Sequence, residues 1–274
     1  SRGLGDVYKR QAIDSDIIII GGGLNGSLMA IVAAKFGFSS IVLDSKENDT
    51  SRENRFDGRS YALALSSIRL LKNIDVFDDI RDNSQPILDI KILDGKLVQG
   101  PSQFSLHFDN NDIHDGPMGQ MVEDRFIRNA LFAKIYESDQ IDYKFASEVM
   151  EHKREKGCIS VKLRNGNKLH TRLVIGADGK NSELARRAGI KKTGWKYNQT
   201  ALVCAIEHEI EHNGLAWQYF LPNGPLAVLP MKGKHSSVVW TEQNIYAKAV
   251  NSCDKTKYTS CLLYTSDAAD ESVR

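Results

Sequence analysis

The feature that most constrains this chain is a six-residue turn, Gly21-Gly22-Gly23-Leu24-Asn25-Gly26, wedged between an apolar β-branched run and an apolar helical stretch. Asp16 to Ile20 reads as a buried strand, and Leu24 to Phe36 carries apolar residues at helical spacing with Gly37 as its stop. Ser40 to Leu43 is a second strand, ending on Asp44. Strand, glycine turn, helix and strand in that order make a βαβ unit, whose strands lie parallel. The glycines fit GxGxxG: Gly21 makes the tight turn, Gly23 lets backbone approach a pyrophosphate, and Gly26 lets the helix pack on the strand. Asp44 ends the next strand 23 residues after Gly21, where a carboxylate can accept both hydroxyls of a ribose. The expectation is dinucleotide binding, against the alternative of a glycine-rich connector with no ligand.

Composition narrows the rest. The 274 residues suggest one to two domains at about 150 residues each. With 36 Lys plus Arg against 35 Asp plus Glu, the charge of +1 supplies no basic field for nucleic acid. The Ile17–Ile20 run is far shorter than the roughly 18 apolar residues of a membrane span. Cys158, Cys204, Cys253 and Cys261 lie far apart with no CxxC pair, and reduced thiols in a cytoplasmic setting are expected.

Further along, Ser60 to Asn73 shows an approximate helical stripe, and Ile87 to Leu97 and Phe104 to Phe108 alternate as strands do. Met121 to Tyr136 has the spacing of an amphipathic helix. Three strands follow, at Ser147 to His152, Ile159 to Arg164 and Lys168 to Ile175, with Asn165-Gly166 giving a type I′ hairpin signal. Four more strands between Thr200 and Thr241 predict an antiparallel sheet. No repeat or low-complexity linker separates these regions, so two domains would have to interleave.

Three short segments carry chemistry when taken together: the first fingerprint, Asp57-Gly58-Arg59-Ser60-Tyr61-Ala62-Leu63, and Gly176-Ala177-Asp178-Gly179 at a strand end. His208-Glu209-Ile210-Glu211-His212 matches HExxH, but a strand leads into it and Asn213-Gly214 follows. No helix is available to put both histidines on one face, so no metal site is expected. No GxSxG elbow appears, and no catalytic residue is assigned. Trp217, Phe220, Leu229 and Trp240 fall on strands and are the expected lining of an apolar substrate pocket, with ordinary core packing as the alternative.

In these motifs the chain resembles the class A flavoprotein aromatic hydroxylases of the p-hydroxybenzoate hydroxylase fold, and in particular the ubiquinone-biosynthesis hydroxylases. The likeness runs from about Asp16 to Thr241 through GGGLNG with Asp44, DGRSYAL, MVEDR, IGADGKNS, AWQYFLPNGPLAVLPM and SSVVWTE. The resemblance implies an α/β fold, with a Rossmann-like FAD-binding domain interleaved with an antiparallel substrate sheet. It implies that Gly21, Gly23, Gly26 and Asp44 hold the adenosine diphosphate of FAD, and that Arg59, Glu123 and Asp178 lie along the cofactor. It further implies NAD(P)H as co-substrate and a flavin C4a-hydroperoxide that hydroxylates a polyprenylated phenol. The small-molecule partner is then a phenolic quinone precursor, with peripheral association at the inner membrane or with a biosynthetic complex left open. The family pattern Ser-x-x-Arg after Asp-Gly is altered here: Ser182 is present, Ala185 occupies the arginine position, and Arg186 and Arg187 follow.

The resemblance divides the chain into FAD-binding segments at 12–80 and 119–190 and substrate segments at 81–118 and 191–258. A flavin- or NAD-dependent dehydrogenase or reductase, and a non-enzymatic dinucleotide-binding fragment, stay open as alternatives. Residues 1–11 and 261–274 show no periodicity that joins them to their neighbours, and both resemble translated sequencing-adapter read-through. The native sequence is therefore expected to run from about Ala12 to about Tyr258 and to be cut at both ends. The family's downstream Gly-Asp motif has no counterpart, since Ser266-Asp267-Ala268-Ala269 lacks its glycine and proline. Expressed as written, the chain is expected to be poorly soluble or nearly colourless; purification and an absorbance spectrum check this, and a soluble, flavin-saturated, catalytically coupled protein would overturn it.

Overall fold

The computed structural model describes residues 12–47, 56–96, 100–112, 115–254 and 256–257, without the side chains of 96 and 100–104. The expected tails at 1–11 and 261–274, with Ser266 to Ala269, lie outside the described residues. Contacts divide the chain into two compact units: the described parts of 1–53 with 128–192, and those of 54–127 with 193–274. The segment joints expected from sequence, 80/81, 118/119 and 190/191, differ from these. Residues 54–80 and 119–127 group with the second unit because strands from both stretches pair in a sheet of their own.

In the first unit, β1 (Ser15–Ile20), α1 (Leu24–Lys35) and β2 (Ser40–Leu43) form the expected βαβ unit, with Ile18 opposite Ile41 and Ile20 opposite Leu43. The sheet order is β8 (Ile141–Lys144), β2, β1, β11 (Lys168–Gly176), β10 (Cys158–Leu163), β9 (Val149–Glu155). The first four strands are parallel and the last three antiparallel. β1 sits inside the sheet, paired on both edges, which is why it reads as a continuous apolar run. Ile18, Ile20, Ile41, Leu43, Val161 and Leu163 form one buried cluster, with Val174 and Leu184 packed against it. Each such side chain contributes roughly 1.5–3 kcal/mol by leaving water.

The hairpin between β10 and β11 is present, but its turn differs from the expected type I′. Gly166 alone has positive φ (88°), its N–H donates to Leu163 O, and Leu163 N–H donates to Asn167 O. That is a type I turn closed by a glycine bulge, and Asn165 uses its carboxamide to accept from Asn167 N–H instead of adopting a left-handed φ.

In the second unit, β3 (Ser60–Ala64) leads into α2 (Leu65–Asn73) and α3 (Phe77–Arg81), followed by β4 (Ser84–Ile87), β5 (Asp89–Lys96), β6 (Gly100–Asp109) and β7 (Gly119–Glu123). The stripe predicted as one helix over Ser60 to Asn73 is thus a strand and then a helix, because Tyr61 and Leu63 pair with Val122 and Gln120 of β7. The helix predicted from Met121 likewise begins later: residues 121–123 finish β7, and α4 runs Asp124–Tyr136. β3, β7 and β4 make a three-stranded sheet. The larger sheet has the order β12 (Gln199–Glu207), β15 (His235–Gln243), β14 (Gly224–Met231), β13 (Leu215–Leu221), β5, β6. It is antiparallel as expected except where β13 meets β5 in parallel. Helix α6 (Asn244–Asn251) covers one face through Ala247 and Val250, packed with Leu202, Leu226, Val238 and Trp240.

Two glycines of the first turn set up a contrast. A Cβ on Gly26 would lie 1.9 Å from Gly21 O, whereas one on Gly23 would meet nothing within 4 Å. Gly26→Ala is expected to destabilise the chain by about 1–3 kcal/mol in urea unfolding, and Gly23→Ala by less than about 0.5 kcal/mol. Equal losses for the two would contradict this packing.

Candidate cofactor-binding site

Four of the expected cofactor residues, Gly21, Gly23, Asp44 and Asp178, line one groove of about 470 Å³ in the first unit. The groove exists because two strand ends meet there. Gly21 takes φ +103°, and a Cβ on it would lie 2.3 Å from Ala177 O, so the turn after β1 touches the backbone after β11. Gly26 lies beneath, closing the contact between α1 and the turn. Gly23 is the cap residue of α1, with no side-chain cap and no acidic residue in the first turn. The first N–H groups of this 12-residue helix are therefore left for an anion, with the positive end of its dipole behind them.

Asp44 is fixed beside the turn, where a Cβ on Gly22 would lie 2.7 Å from its Oδ2. Its backbone N–H donates to Lys144 O, its carbonyl accepts from Ser147 N–H, and its Oδ1 accepts from Lys46 N–H at 3.0 Å. Asp178 Oδ2 accepts from the N–H groups of Glu183 (2.8 Å) and Leu184 (3.2 Å), which caps the short helix α5 (Glu183–Arg187) together with Ser182 Oγ. Burial pushes the Asp178 carboxyl up, but the hydrogen bonds from Ser182 and from the backbone N–H groups outweigh it and hold the group below the usual carboxylate range. Its other oxygen, Oδ1, is buried without a partner. An open approach at Gly23, an uncapped helix start, a fixed carboxylate at the second strand end and an orphaned buried oxygen fit the adenosine diphosphate half of FAD.

Two arginines of the groove escaped the sequence reading as site residues, and so did one residue outside its lining. Arg128 lines it from α4; the signal was the second arginine of MVEDRFIRN. Arg187 lines it too, its side chain about a quarter exposed (26%), with Nη1 3.3 Å from Val149 O and Nε 3.3 Å from Glu183. Arg186 instead pairs with Glu183 in solvent. With Ala185 at the usual arginine position, Arg187 is the neighbour that reaches the groove. The Arg186 hydrogen bond, with the charges of both arginines, holds the Glu183 carboxyl down at about 2. Outside the lining, Tyr143 places its hydroxyl 2.8 Å from Gly22 O and 3.2 Å from Asp44 Oδ2.

Arg59 and Glu123 belong to the second unit, where they are neighbours at one end of the small sheet: Asp124 N–H donates to Arg59 O, and Ser60 pairs with Glu123. The Arg59 guanidinium bonds Asp57 at 2.7 Å and Asp124 at 3.2 Å, and the Asp57 hydrogen bond raises its pKa further. Glu123 holds Arg125 at 2.6 Å.

The four residues expected to line a substrate pocket do not share a wall. Strand alternation and register put Trp217 opposite Val228, and Trp240 opposite Leu226, on one face of the large sheet. Trp240 is buried there under α6, and Trp217 stacks on Tyr219 at 5.8 Å with Lys91 over its ring. Phe220 and Leu229 point to the opposite face, where Leu229 packs with Ile87, Met121 and Ala216 and Phe220 is half-exposed.

The HExxH segment follows β12 and is not helical. Every ring nitrogen of the pair has a polypeptide partner: His208 meets Ile210 O and Ser236 Oγ, and His212 meets Met231 O and Gly214 N–H. Zinc would have to displace these bonds. Among the described residues no group of three or more His, Cys, Asp or Glu side chains is placed to hold a metal.

Comparison with known proteins agrees with the motif pattern. The chain is similar to ubiquinone hydroxylase UbiL of Rhodospirillum rubrum, 38% identical over 84% of this chain and 52% of that one. It is similar to the mitochondrial ubiquinone biosynthesis monooxygenase COQ6 of Danio rerio, 31% identical over 90% and 53%. In three dimensions it is like the crystal structure of pqsL, a probable FAD-dependent monooxygenase from Pseudomonas aeruginosa, with a TM-score of 0.72 at 17% identity over 86% and 62% of the two chains. The chain thus spans about half the length of these curated relatives. The profile of the FAD binding domain matches residues 14–268, and the chain belongs to that family.

Proposed function

We propose that this chain is the flavin- and substrate-binding part of a monooxygenase that hydroxylates a phenolic precursor of ubiquinone, using NAD(P)H and O2. The observation that carries the reading is the groove joining the α1 start, Asp44 and Asp178, in a chain whose relatives are named for ubiquinone hydroxylation. Gly23 and the first N–H groups of α1 would receive the pyrophosphate, with Arg128 and Arg187 supplying positive charge nearby. Asp44 would accept the ribose hydroxyls. Arg59 and Glu123 would lie along the remainder of the cofactor, as the family resemblance implies. FAD, once bound, supplies the redox and oxygen chemistry. What the polypeptide adds is position and dryness, which is why no acid–base pair of its own is required. The face of the large sheet bearing Phe220 and Leu229, free of α6, is the apolar wall suited to the ring and its tail. A polyprenylated precursor would come from a membrane surface. No helix among the described residues is long and apolar enough to cross one.

Asp44→Ala removes a charged acceptor for two hydroxyls and is expected to weaken FAD binding about 10- to 100-fold, the equivalent of roughly 1.5–3 kcal/mol. Fluorescence titration checks this, and unchanged affinity would sink the assignment. Assays on phenolic quinone precursors with and without oxygen decide the reaction: incorporation of one oxygen atom into the ring is expected, and NAD(P)H-driven reduction without incorporation would favour a reductase.

A further inference from the structure

Tyr143 stands outside the groove lining, against Gly22 of the glycine turn and against Asp44, which the proposed function assigns to the ribose. Its phenol rises from β8, held edge-on by Phe132 at 5.3 Å between ring centres and flanked by Phe145 at 4.6 Å. Its hydroxyl lies 2.8 Å from Gly22 O, in the phosphate turn, and 3.2 Å from Asp44 Oδ2, at the end of β2. Burial, and then the charge of Asp44, push the phenol pKa up, so it stays protonated, with one proton shared between Gly22 O and Asp44 Oδ2. Lys46 N–H meets Oδ1 and the phenol meets Oδ2, so each oxygen of Asp44 has a polypeptide neighbour.

The sequence carries the mark of this arrangement. Gly22 occupies a variable position of GxGxxG, and unlike Gly21 it has no positive φ. A Cβ there would fall 1.9 Å from the Tyr143 hydroxyl oxygen, 2.6 Å from its Cζ and 2.7 Å from Asp44 Oδ2. The middle glycine is therefore demanded by the phenol and the carboxylate, not by the turn.

We infer that Tyr143 is a positioning residue that orients the Asp44 carboxylate relative to the phosphate turn and so sets recognition of the ribose hydroxyls. The inference rests on the proposed reading of the groove as a dinucleotide site. A purely structural role would lower stability, or affinity for every ligand alike. A positioning role changes the ratio between ligands that differ in one ribose hydroxyl.

The test is calorimetric titration of the full chain with ADP and with 2′-deoxy-ADP, alongside urea unfolding. The wild-type chain is expected to prefer ADP by about tenfold or more, since a hydrogen bond to a carboxylate is lost in the deoxy compound. Tyr143→Phe keeps the ring packing and is expected to cut that preference about three- to tenfold. Gly22→Ala, which must push the phenol aside, should reduce it likewise. A Tyr143→Phe protein that keeps the wild-type preference, even with weaker binding overall, overturns the inference, as does a wild-type chain that binds both ligands equally. A wild-type chain that binds neither ADP nor FAD overturns the dinucleotide reading itself, an outcome distinct from both.

Discussion

The contact on which the rest depends is backbone against backbone: the turn after β1 pressed on the segment after β11. No side chain fits between Gly21 and the Ala177 carbonyl, or between Gly26 and Gly21. Close approach there lets the β1 and β11 strand ends run out side by side, with Ala177 N–H donating to Ile20 O at 2.7 Å. It brings Asp178 to a turn made more than 150 residues earlier in the sequence. The groove is the space left at the carboxyl ends of parallel strands, where such folds place their ligands.

The electrostatics of the groove follow from how its charges are held. Asp178 Oδ2 is committed to the start of α5 while Oδ1 stays without a partner, and Glu183 is paired with two arginines. Asp44 is held by backbone bonds on both sides, with its carboxylate close to Gly22 of the glycine turn. A ligand that offers an anion to the α1 start and hydroxyls to the neighbouring Asp44 carboxylate matches that arrangement.

Legibility followed the range of the interactions. The first βαβ unit was readable because strand, turn and helix are each fixed by neighbours in sequence, and the four late strands because their turns are marked by glycine. β3 and the end of β7 were not, since five-residue strands owe their existence to each other across about 60 positions and their composition also suits a helix. The aromatic set is legible as strand residues; its division between two faces follows from the odd spacing of Trp217 and Phe220 along β13. Arg187 and Tyr143 could not be placed without the fold, because their partners, Val149 O and Gly22 O, are backbone atoms far away in sequence.

The position of β1 inside its sheet has a consequence in time. One edge of Ser15–Ile20 is satisfied early by β2, but the other waits for β11, whose Thr171 bonds Asp16 O across 155 positions. At a synthesis rate of roughly 5–20 residues per second, that edge stays open for about 8–31 s after it emerges. Four consecutive isoleucines with unpaired N–H and C=O groups are a ready template for another chain during that interval. The same strand that anchors the finished site is thus the point at which a nascent chain is most exposed to misassembly.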